Sequence, residues 1–241
     1  MKTVWDFWAN YYNRLWVQKY SLKPGRDKVI SIIKKIGFEE GSLLDIGCGT
    51  GQLLERIHAE FGDKILLTGA DYSKNMLKQA KKNLKTQNIK VSLHVPVLGT
   101  TPRIKVGAHP ASLNLDRCHR TYKVKLIHTD VNDIKENVSN KFDIITCTHS
   151  LPYYKNQEKA IFDMADLLKD KGYIIVICAS VNNIYDRLVC SILKLTTGRA
   201  HYPSVKELKG FAKNKLKCIG FCIIKKAFFM PNIVAVVYKR K

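Results

Sequence analysis

The chain has 241 residues, of which 46% are hydrophobic, and a formal net charge of +21 at pH 7. This length and hydrophobic content predict a single domain over residues 1–241 with a sizeable core. No apolar run approaches the ~20 residues that a membrane-spanning helix requires, and the first residues lack the apolar core of a signal peptide. The composition therefore excludes an integral membrane protein.

The cysteines and histidines predict neither a disulfide framework nor a metal site. The seven cysteines include no CxxC pair, and several lie within apolar runs, so we interpret them as buried free thiols. The spacing of His94, Cys118, His119 and His128 does not match that of metal ligands. We therefore expect a protein of the reducing cytoplasm without a bound metal.

The basic excess is open to three interpretations: solubilising charge, a nucleic-acid partner, or peripheral contact with an anionic membrane. Only nine of the 41 basic residues are arginines, and arginine is the residue best suited to bidentate phosphate recognition. This composition favours solubilising charge, with nucleic acid a less favoured partner.

The chain opens with a run of aromatic residues. Trp5, Trp8, Tyr12 and Trp16 recur at steps of three and four residues, which predicts an amphipathic helix over residues 3–19. Within segment 1–22, this aromatic face either packs on the body of the domain or forms a lid over a binding site. After a break at Pro24 and Gly25, the apolar spacing predicts a second helix over residues 27–36.

A buried strand, a glycine turn and a helix follow. Leu43 to Ile46 are apolar around Asp45, and glycines recur at every second position of residues 47–51 before a helical pattern from Gln52. This order is typical of a nucleotide-type site at the carboxyl edge of a parallel sheet. The spacing G-x-G-x-G differs from the dinucleotide pattern. Because a carboxylate repels pyrophosphate and attracts a sulfonium or ammonium, Asp45 favours a cationic nucleoside.

The string Asp45-Ile-Gly-Cys-Gly-Thr-Gly51 resembles motif I of the class I, seven-stranded SAM-dependent methyltransferases. The resemblance implies an α/β, Rossmann-like fold with a doubly wound, mostly parallel seven-stranded sheet, helices on both faces and an antiparallel last strand. It also implies S-adenosyl-L-methionine as the cofactor. In this turn, the residues assigned to the cofactor are Asp45, Gly47, Cys48, Gly49, Thr50 and Gly51.

The next strands supply further cofactor residues. Residues 65–70 form the second strand, and Asp71 at its end has the two oxygens that a ribose cis-diol needs, with Tyr72 placed to lie on the adenine. Residues 89–95 and 122–128 repeat one strand pattern, although the family needs a single strand there. Asp130 and Val131 then follow and, by the resemblance, contact the adenine.

The segment 96–123 between these strands is predicted to be an insertion. It contains three of the seven prolines and a basic excess, and loops of this length in compact domains are functional or disordered. A basic flap over the substrate and a surface loop are both open interpretations.

The fourth strand, residues 142–148, ends at the predicted reaction centre. The resemblance places its tip, Thr148, at the methionine end of the cofactor and the chemistry in the residues that follow. His149 is the candidate general base and Tyr153 a group that orients a substrate hydroxyl. The alternative for His149 is a packed, hydrogen-bonded residue.

The remaining elements complete the predicted fold. Helices are expected over 156–169 and 182–195, a capping box at Ser204 and Glu207, and strands over 173–180, 220–229 and 232–238.

We therefore predict an enzyme that methylates a small molecule, similar to the small-molecule and quinone methyltransferases. An RNA methyltransferase and a methyltransferase of a membrane-associated lipid or quinone are alternatives, and a non-catalytic SAM-binding module is the least favoured. The sequence indicates neither the acceptor atom nor the oligomeric state.

Overall fold

The computed structural model describes residues 4–9, 11–95, 123–224, 227 and 229–241. These residues contain one sheet of eight strands in the order β3-β4-β2-β1-β5-β6-β8-β7. The strands are β1 (Gly41–Ile46), β2 (Ile65–Asp71), β3 (Val91–His94), β4 (Val124–His128), β5 (Phe142–Thr148), β6 (Leu168–Ala179), β7 (Leu216–Ile224) and β8 (Ile233–Arg240).

The sheet confirms the predicted mixed topology. Strands β1 to β6 are parallel to one another, whereas β8 runs antiparallel to both β6 and β7. The prediction of seven strands was one too few, because the segments 89–95 and 122–128, which repeat the same strand pattern, both form strands of the sheet. Val91 aligns with Val124, so β3 extends the sheet beyond β4 as a short edge strand.

Helices cover both faces of the sheet, as predicted. They are α1 (Val4–Trp8), α2 (Lys23–Lys35), α3 (Gln52–Phe61), α4 (Lys74–Thr86), α5 (Ile134–Asn137), α6 (Gln157–Asp166), α7 (Ile184–Thr197) and α8 (Val205–Gly210). Successive strand residues point to opposite faces, so Leu43 packs with α2, α3 and α4 while Leu44 packs with α6 and α8. Both side chains are fully buried.

The N-terminal segment differs from the predicted single helix over 3–19. Among the residues described before Leu15, the helical elements are α1 and a 3₁₀ turn at Tyr12–Arg14, and the backbone of Leu15 is extended with φ −65° and ψ 140°. The chain then takes a π-helical turn at Gln18–Leu22 and continues directly into α2. Pro24 lies in the first turn of α2, where its missing N–H costs nothing, so the predicted break at Pro24 and Gly25 was wrong.

Other boundaries shift because strand pairing decides them. The predicted helix over 156–169 ends at Asp166, and β6 begins at Leu168. The strand predicted over 220–229 is β7, Leu216–Ile224, held by its antiparallel register with β8. The predicted insertion at 96–123 lies outside the described residues except for Lys123, whose ammonium donates to Asp63 Oδ2 at 2.5 Å.

Candidate active site

The glycine turn after β1 joins the first two strands at their carboxyl ends. Gly47 N and Cys48 N both donate to Ala70 O, at 2.8 and 3.0 Å. Gly49 has a φ of +52°, and a Cβ built there would meet nothing within 4 Å, because this residue lines an open cavity. Glycine is required here both for the left-handed backbone and to keep that space free.

Asp71, at the end of β2, is bonded to the glycine turn. Its Oδ2 accepts from Gly49 N and its Oδ1 from Ser73 N, both at 2.8 Å. Burial raises the pKa of Asp71 to about 6, against the lowering effect of these two hydrogen bonds. Each carboxylate oxygen keeps a second lone pair, and the residue lines the cavity.

Asp45 lies behind the glycine turn rather than on the cavity wall. Its Oδ1 accepts from Thr146 Oγ1 at 2.7 Å, while its buried Oδ2 has no hydrogen-bond partner within the described ranges. Burial, together with a smaller effect of the nearby charge of Asp71, raises the pKa of Asp45 to about 7, against the lowering effect of the Thr146 hydrogen bond. Two buried carboxyl groups thus lie within each other's field.

A cavity of about 340 Å³ opens at the carboxyl edge of the sheet. It brings together seven of the predicted cofactor-binding residues, which are Gly47, Gly49, Asp71, Tyr72, Asp130, Val131 and Thr148. The other four, Asp45, Cys48, Thr50 and Gly51, are not among its lining residues. Of these, Gly51 is the N-cap of α3 and has a left-handed backbone conformation. Thr50 is hydrogen-bonded to the N-terminal segment.

His149 and Tyr153 are both brought to this cavity. His149 has a φ of +59°, its N–H donates to Ile177 O at 2.6 Å, and its ring packs against Gly25, where a Cβ would lie 2.7 Å from Nε2. Nε2 is buried and has no partner in the described part of the chain. Burial, together with a smaller effect of the charge of Arg26, lowers the pKa of His149 to about 4, so the imidazole is neutral at neutral pH.

Tyr153 is held between aromatic neighbours. Its ring meets Trp5 edge to face, with centroids 4.8 Å apart. Burial raises the pKa of the Tyr153 phenol well above its ordinary value, and Tyr202 acts in the same direction. The phenol therefore remains protonated and can donate a hydrogen bond.

A second cavity, of about 330 Å³, lies on the other side of these residues. Its lining is mostly aromatic and aliphatic, including Leu22, Ala179, Ile192 and Met230. Four side chains line both cavities and so form a shared wall: Trp5, Tyr12, His149 and Tyr153.

The N-terminal segment is bonded over the first cavity. Ser73 Oγ donates to Asp6 Oδ1 at 2.6 Å, and Thr50 Oγ1 donates to Asn13 Oδ1 at 2.7 Å. These bonds attach the segment to the start of α4 and to the glycine turn. Asn13 was not singled out from the sequence, because only the fold brings it to Thr50.

Sequence reasoning also missed a hydrogen-bonded group under the glycine turn. Ser150 Oγ donates to Ile46 O at 3.1 Å and accepts from Tyr154 OH at 3.0 Å, and a Cβ on Gly47 would lie 2.4 Å from the Ser150 Cβ. Both residues line the first cavity. The sequence indicated a role for Ser150 and Tyr154 only through their position directly after β5. His149 has the same position, so this signal did not distinguish them from it.

The geometry can now be set beside known proteins. A family model described as a methyltransferase domain matches residues 44–176. The chain belongs to this family. The match spans the glycine turn, Asp71, Asp130 and His149, and it confirms the resemblance to class I SAM-dependent methyltransferases, with S-adenosylmethionine as the methyl donor.

Solved structures establish the same fold. The methyltransferase resembles the putative methyltransferase in a complex with the Trm112 methyltransferase activator from Haloferax volcanii (12% identity, 99% of this chain and 98% of that chain, TM-score 0.67). It also resembles an S-adenosylmethionine-dependent methyltransferase from Clostridium acetobutylicum (16% identity, 98% of this chain and 98% of that chain, TM-score 0.63). A third similar structure is that of magnesium protoporphyrin IX methyltransferase from Synechocystis PCC 6803 with bound SAH (15% identity, 90% of this chain and 82% of that chain, TM-score 0.61).

A comparison with curated protein sequences gives no match. Every helix in the described ranges falls short of the length and hydrophobicity that crossing a bilayer requires.

The charge and the shape of this site both suit S-adenosylmethionine. A sulfonium nucleoside brings positive charge. The charged forms of Asp45 and Asp71 are both penalised by burial, and that of Asp45 also by the charge of Asp71. A cation beside them offsets both penalties. The space that Gly49 leaves open gives a ligand access to the backbone of the turn.

Proposed function

We propose that this protein methylates a small, mainly apolar molecule, with S-adenosylmethionine in the first cavity and the acceptor in the second. The observation that carries the proposal is the wall that the two cavities share, formed by Trp5, Tyr12, His149 and Tyr153. A methyl group has to pass from donor to acceptor in line, so the two molecules must meet at a common boundary.

The cofactor contacts are proposed residue by residue. The free lone pairs of Asp71 accept from the ribose hydroxyls, and Asp130 accepts from the adenine amine, with Tyr72 and Val131 against the adenine faces. Asp130 Oδ1 already accepts from Asn132 N at 2.9 Å, which fixes the carboxylate in one orientation. The turn from Gly47 to Gly51, with Asp45 behind it and Thr148 opposite, holds the methionine end.

Bound S-adenosylmethionine supplies an electrophilic methyl group on a sulfonium. The chain's own part is to position the acceptor and to exclude water. The N-terminal segment, bonded through Asp6 and Asn13, acts as the lid. At the shared wall, the neutral His149 accepts a proton from an acceptor hydroxyl or amine, and the protonated Tyr153 donates a hydrogen bond that orients it.

The lining of the second cavity supports an apolar acceptor. Its surface is mainly apolar, with the aliphatic side chains of Leu15, Leu22, Ile192 and Met230 beside tryptophan and tyrosine rings that each carry one polar group. Cavities of this kind bind small organic molecules. Among the structural neighbours, one is named a magnesium protoporphyrin IX methyltransferase and another a plantazolicin methyltransferase, and both names denote small-molecule substrates.

The test is transfer of radiolabelled methyl from S-adenosylmethionine to fractions of a cell extract: small molecules, lipids and RNA. We expect label in an organic-extractable fraction. In the variant Ala179→Phe, which fills the second cavity, transfer should fall at least about tenfold with the affinity for S-adenosylmethionine unchanged.

Ala59→Phe is the matched control, because Ala59 is exposed on α3, and it should leave transfer as in the wild type. Label confined to RNA, or full activity in Ala179→Phe, would overturn the assignment of the acceptor to the second cavity.

A further inference from the structure

Helix α7 carries an exposed apolar stripe. Ile184, Leu188, Ile192 and Leu195 are 86, 61, 58 and 85% exposed. They follow one another at steps of four, four and three residues, so they lie on one face of the helix. The opposite face holds the buried Asp186 and Cys190. Four large aliphatic side chains in a row on one helix exceed the scattered exposure that is normal for a protein surface.

The stripe is continuous with the mouth of the second cavity. Ile192 belongs to both the stripe and the cavity lining, and Leu193 and Thr197 line the cavity from the same helix. Trp16 also lines the cavity and is 56% exposed, and its ring lies 6.1 Å from that of Phe229. An apolar surface therefore leads from the outside of the protein into the proposed acceptor site.

Basic side chains border this surface. Arg187 and Lys194 are exposed on α7 beside the stripe, and Arg14 and Lys19 are exposed on the segment that carries Trp16. Asp186, the acid of α7, is buried and accepts from Asn232. The border is positive, in a chain whose formal net charge is +21.

These features point to an anionic lipid surface rather than to the other possible occupants. Aliphatic side chains flanked by lysine and arginine, with a tryptophan at the edge, are what an interfacial helix presents to a bilayer. Nucleic acid would use the cations and leave the stripe in water. A second copy of the chain would bring two strongly positive proteins together.

We propose that the α7 stripe and Trp16 form a docking face for an anionic membrane, and that a lipid-soluble acceptor enters the second cavity from the bilayer. The docking face stands on its own observations, whereas the entry route rests on the proposed function. The acceptor class is thereby narrowed to apolar molecules that partition into membranes.

The experiment is flotation of the full chain with vesicles of phosphatidylcholine alone and of phosphatidylcholine mixed with phosphatidylglycerol. We expect flotation with the mixed vesicles only, and weakening by salt. In the double variant Leu188→Gln, Leu195→Gln, binding to the mixed vesicles should fall about tenfold or more. Neither residue lines a cavity, and the substitutions leave every charge in place.

Leu66→Gln is the control. Leu66, on β2, is 36% exposed. It lies near the amino ends of the parallel strands, and therefore at the edge of the sheet opposite the cavities. Binding like that of the wild type is expected, with the melting temperature of each variant recorded to confirm folding. Equal vesicle binding by the double variant would overturn the docking face, since net charge alone would then explain the binding.

Two further outcomes would also overturn it: flotation with neither vesicle, and a stripe-dependent dimer in sedimentation velocity without lipid. Affinity for S-adenosylmethionine, measured without vesicles, separates this proposal from the preceding one. The double variant should keep that affinity, whereas failure of the proposed function would appear as transfer that is insensitive to Ala179→Phe.

Discussion

The two cavities on either side of the shared wall are built in different ways. The first lies at the carboxyl ends of β1, β2, β4 and β5, where two glycines of the turn and short polar side chains line it together with aromatic and aliphatic ones. The second is formed by aromatic and aliphatic side chains from the N-terminal segment, α7 and the loop before β8. A methyl donor that is the same throughout the family is bound by a cavity of fixed backbone geometry. An acceptor that differs between members is bound by a cavity whose side chains match its shape.

The comparison also concerns charge. The first cavity borders the buried acids Asp45 and Asp71, whose pKa values are raised to about 7 and about 6. The described residues that line the second cavity include no carboxylate, lysine or arginine, and the wall that it shares with the first carries the neutral imidazole of His149 and the protonated phenol of Tyr153. The donor side is therefore incomplete without a cation, and the acceptor side is suited to an uncharged molecule.

Asp45 should make the ligand-free protein less stable as pH rises. Its pKa is raised from 3.8 to about 7, so the folded state holds the proton more tightly than the unfolded state does. The resulting stabilisation is full below pH 3.8 and is lost by about pH 7. At about 1.4 kcal/mol per pKa unit, the loss is about 4 kcal/mol. Urea unfolding across this range, with and without Asp45→Asn, measures it.

The difference in unfolding free energy between the wild type and Asp45→Asn isolates this contribution, because Asp71, with its pKa raised to about 6, adds to the fall in stability, whereas His149, with its pKa lowered to about 4, opposes it. The stability of the wild type relative to Asp45→Asn should fall by about 4 kcal/mol from pH 4 to pH 7, and saturating S-adenosylmethionine should reduce that fall. Asp63→Asn, at an exposed position, is the control and should keep the wild-type slope. A difference in unfolding free energy between the wild type and Asp45→Asn that stays constant between pH 4 and pH 7 would contradict the account.

His149→Gln should reduce the rate of methyl transfer about a hundredfold for an acceptor that must lose a proton, and it should leave the affinity for S-adenosylmethionine unchanged. Single-turnover transfer and calorimetric binding separate the two quantities. An NMR titration of the imidazole should give a pKa near 4, as burial requires. Transfer at the wild-type rate in this variant would remove His149 from the chemistry.

Asp71→Asn should weaken binding of S-adenosylmethionine about tenfold to a hundredfold, because two hydrogen bonds from the ribose to a charged acceptor are replaced by bonds to a neutral amide. Wild-type affinity should itself rise with pH through about 6, as the Asp71 carboxyl ionises. Calorimetry at several pH values provides both results. Asp63→Asn is again the control, and an unchanged affinity in Asp71→Asn would refute the ribose assignment.

Asn13→Ala should accelerate release of S-adenosylmethionine about two- to tenfold, because the lid loses its hydrogen bond to Thr50, worth about 1 kcal/mol. Stopped-flow fluorescence of the N-terminal tryptophans would follow release. Asn214→Ala, at an exposed position before β7, should behave as the wild type. A release rate unaffected by Asn13→Ala would mean that the segment does not act as a lid.

Much of the fold could be predicted because local patterns fix it. The glycine turn at 47–51 and the acids at 71 and 130 each follow a strand, and parallel strands bring their carboxyl ends to one edge. The sequence could not show that Asp45 lies behind the turn, since a strand residue's direction depends on the face that the sheet buries. The strand pattern of residues 89–95 was visible, but the pattern alone could not show that this segment pairs with β4 as an additional edge strand.

The second cavity could not be predicted, for a related reason. The aromatic steps from Trp5 to Trp16 were visible, but the predicted continuous helix was wrong, since Leu15 is extended and redirects the chain. The contacts of Trp5 with Tyr153 and of Trp16 with Phe229 join residues far apart in sequence. The exposure of the α7 stripe also depends on which face of that helix the fold buries.

A structure of the complex with S-adenosylhomocysteine tests the central claim most directly. We predict that the adenosine lies between Tyr72 and Val131, that its ribose contacts Asp71, and that its sulfur faces the wall shared by the two cavities, next to His149 and Tyr153. A sulfur atom directed away from that wall, with the second cavity closed off from it, would contradict the account.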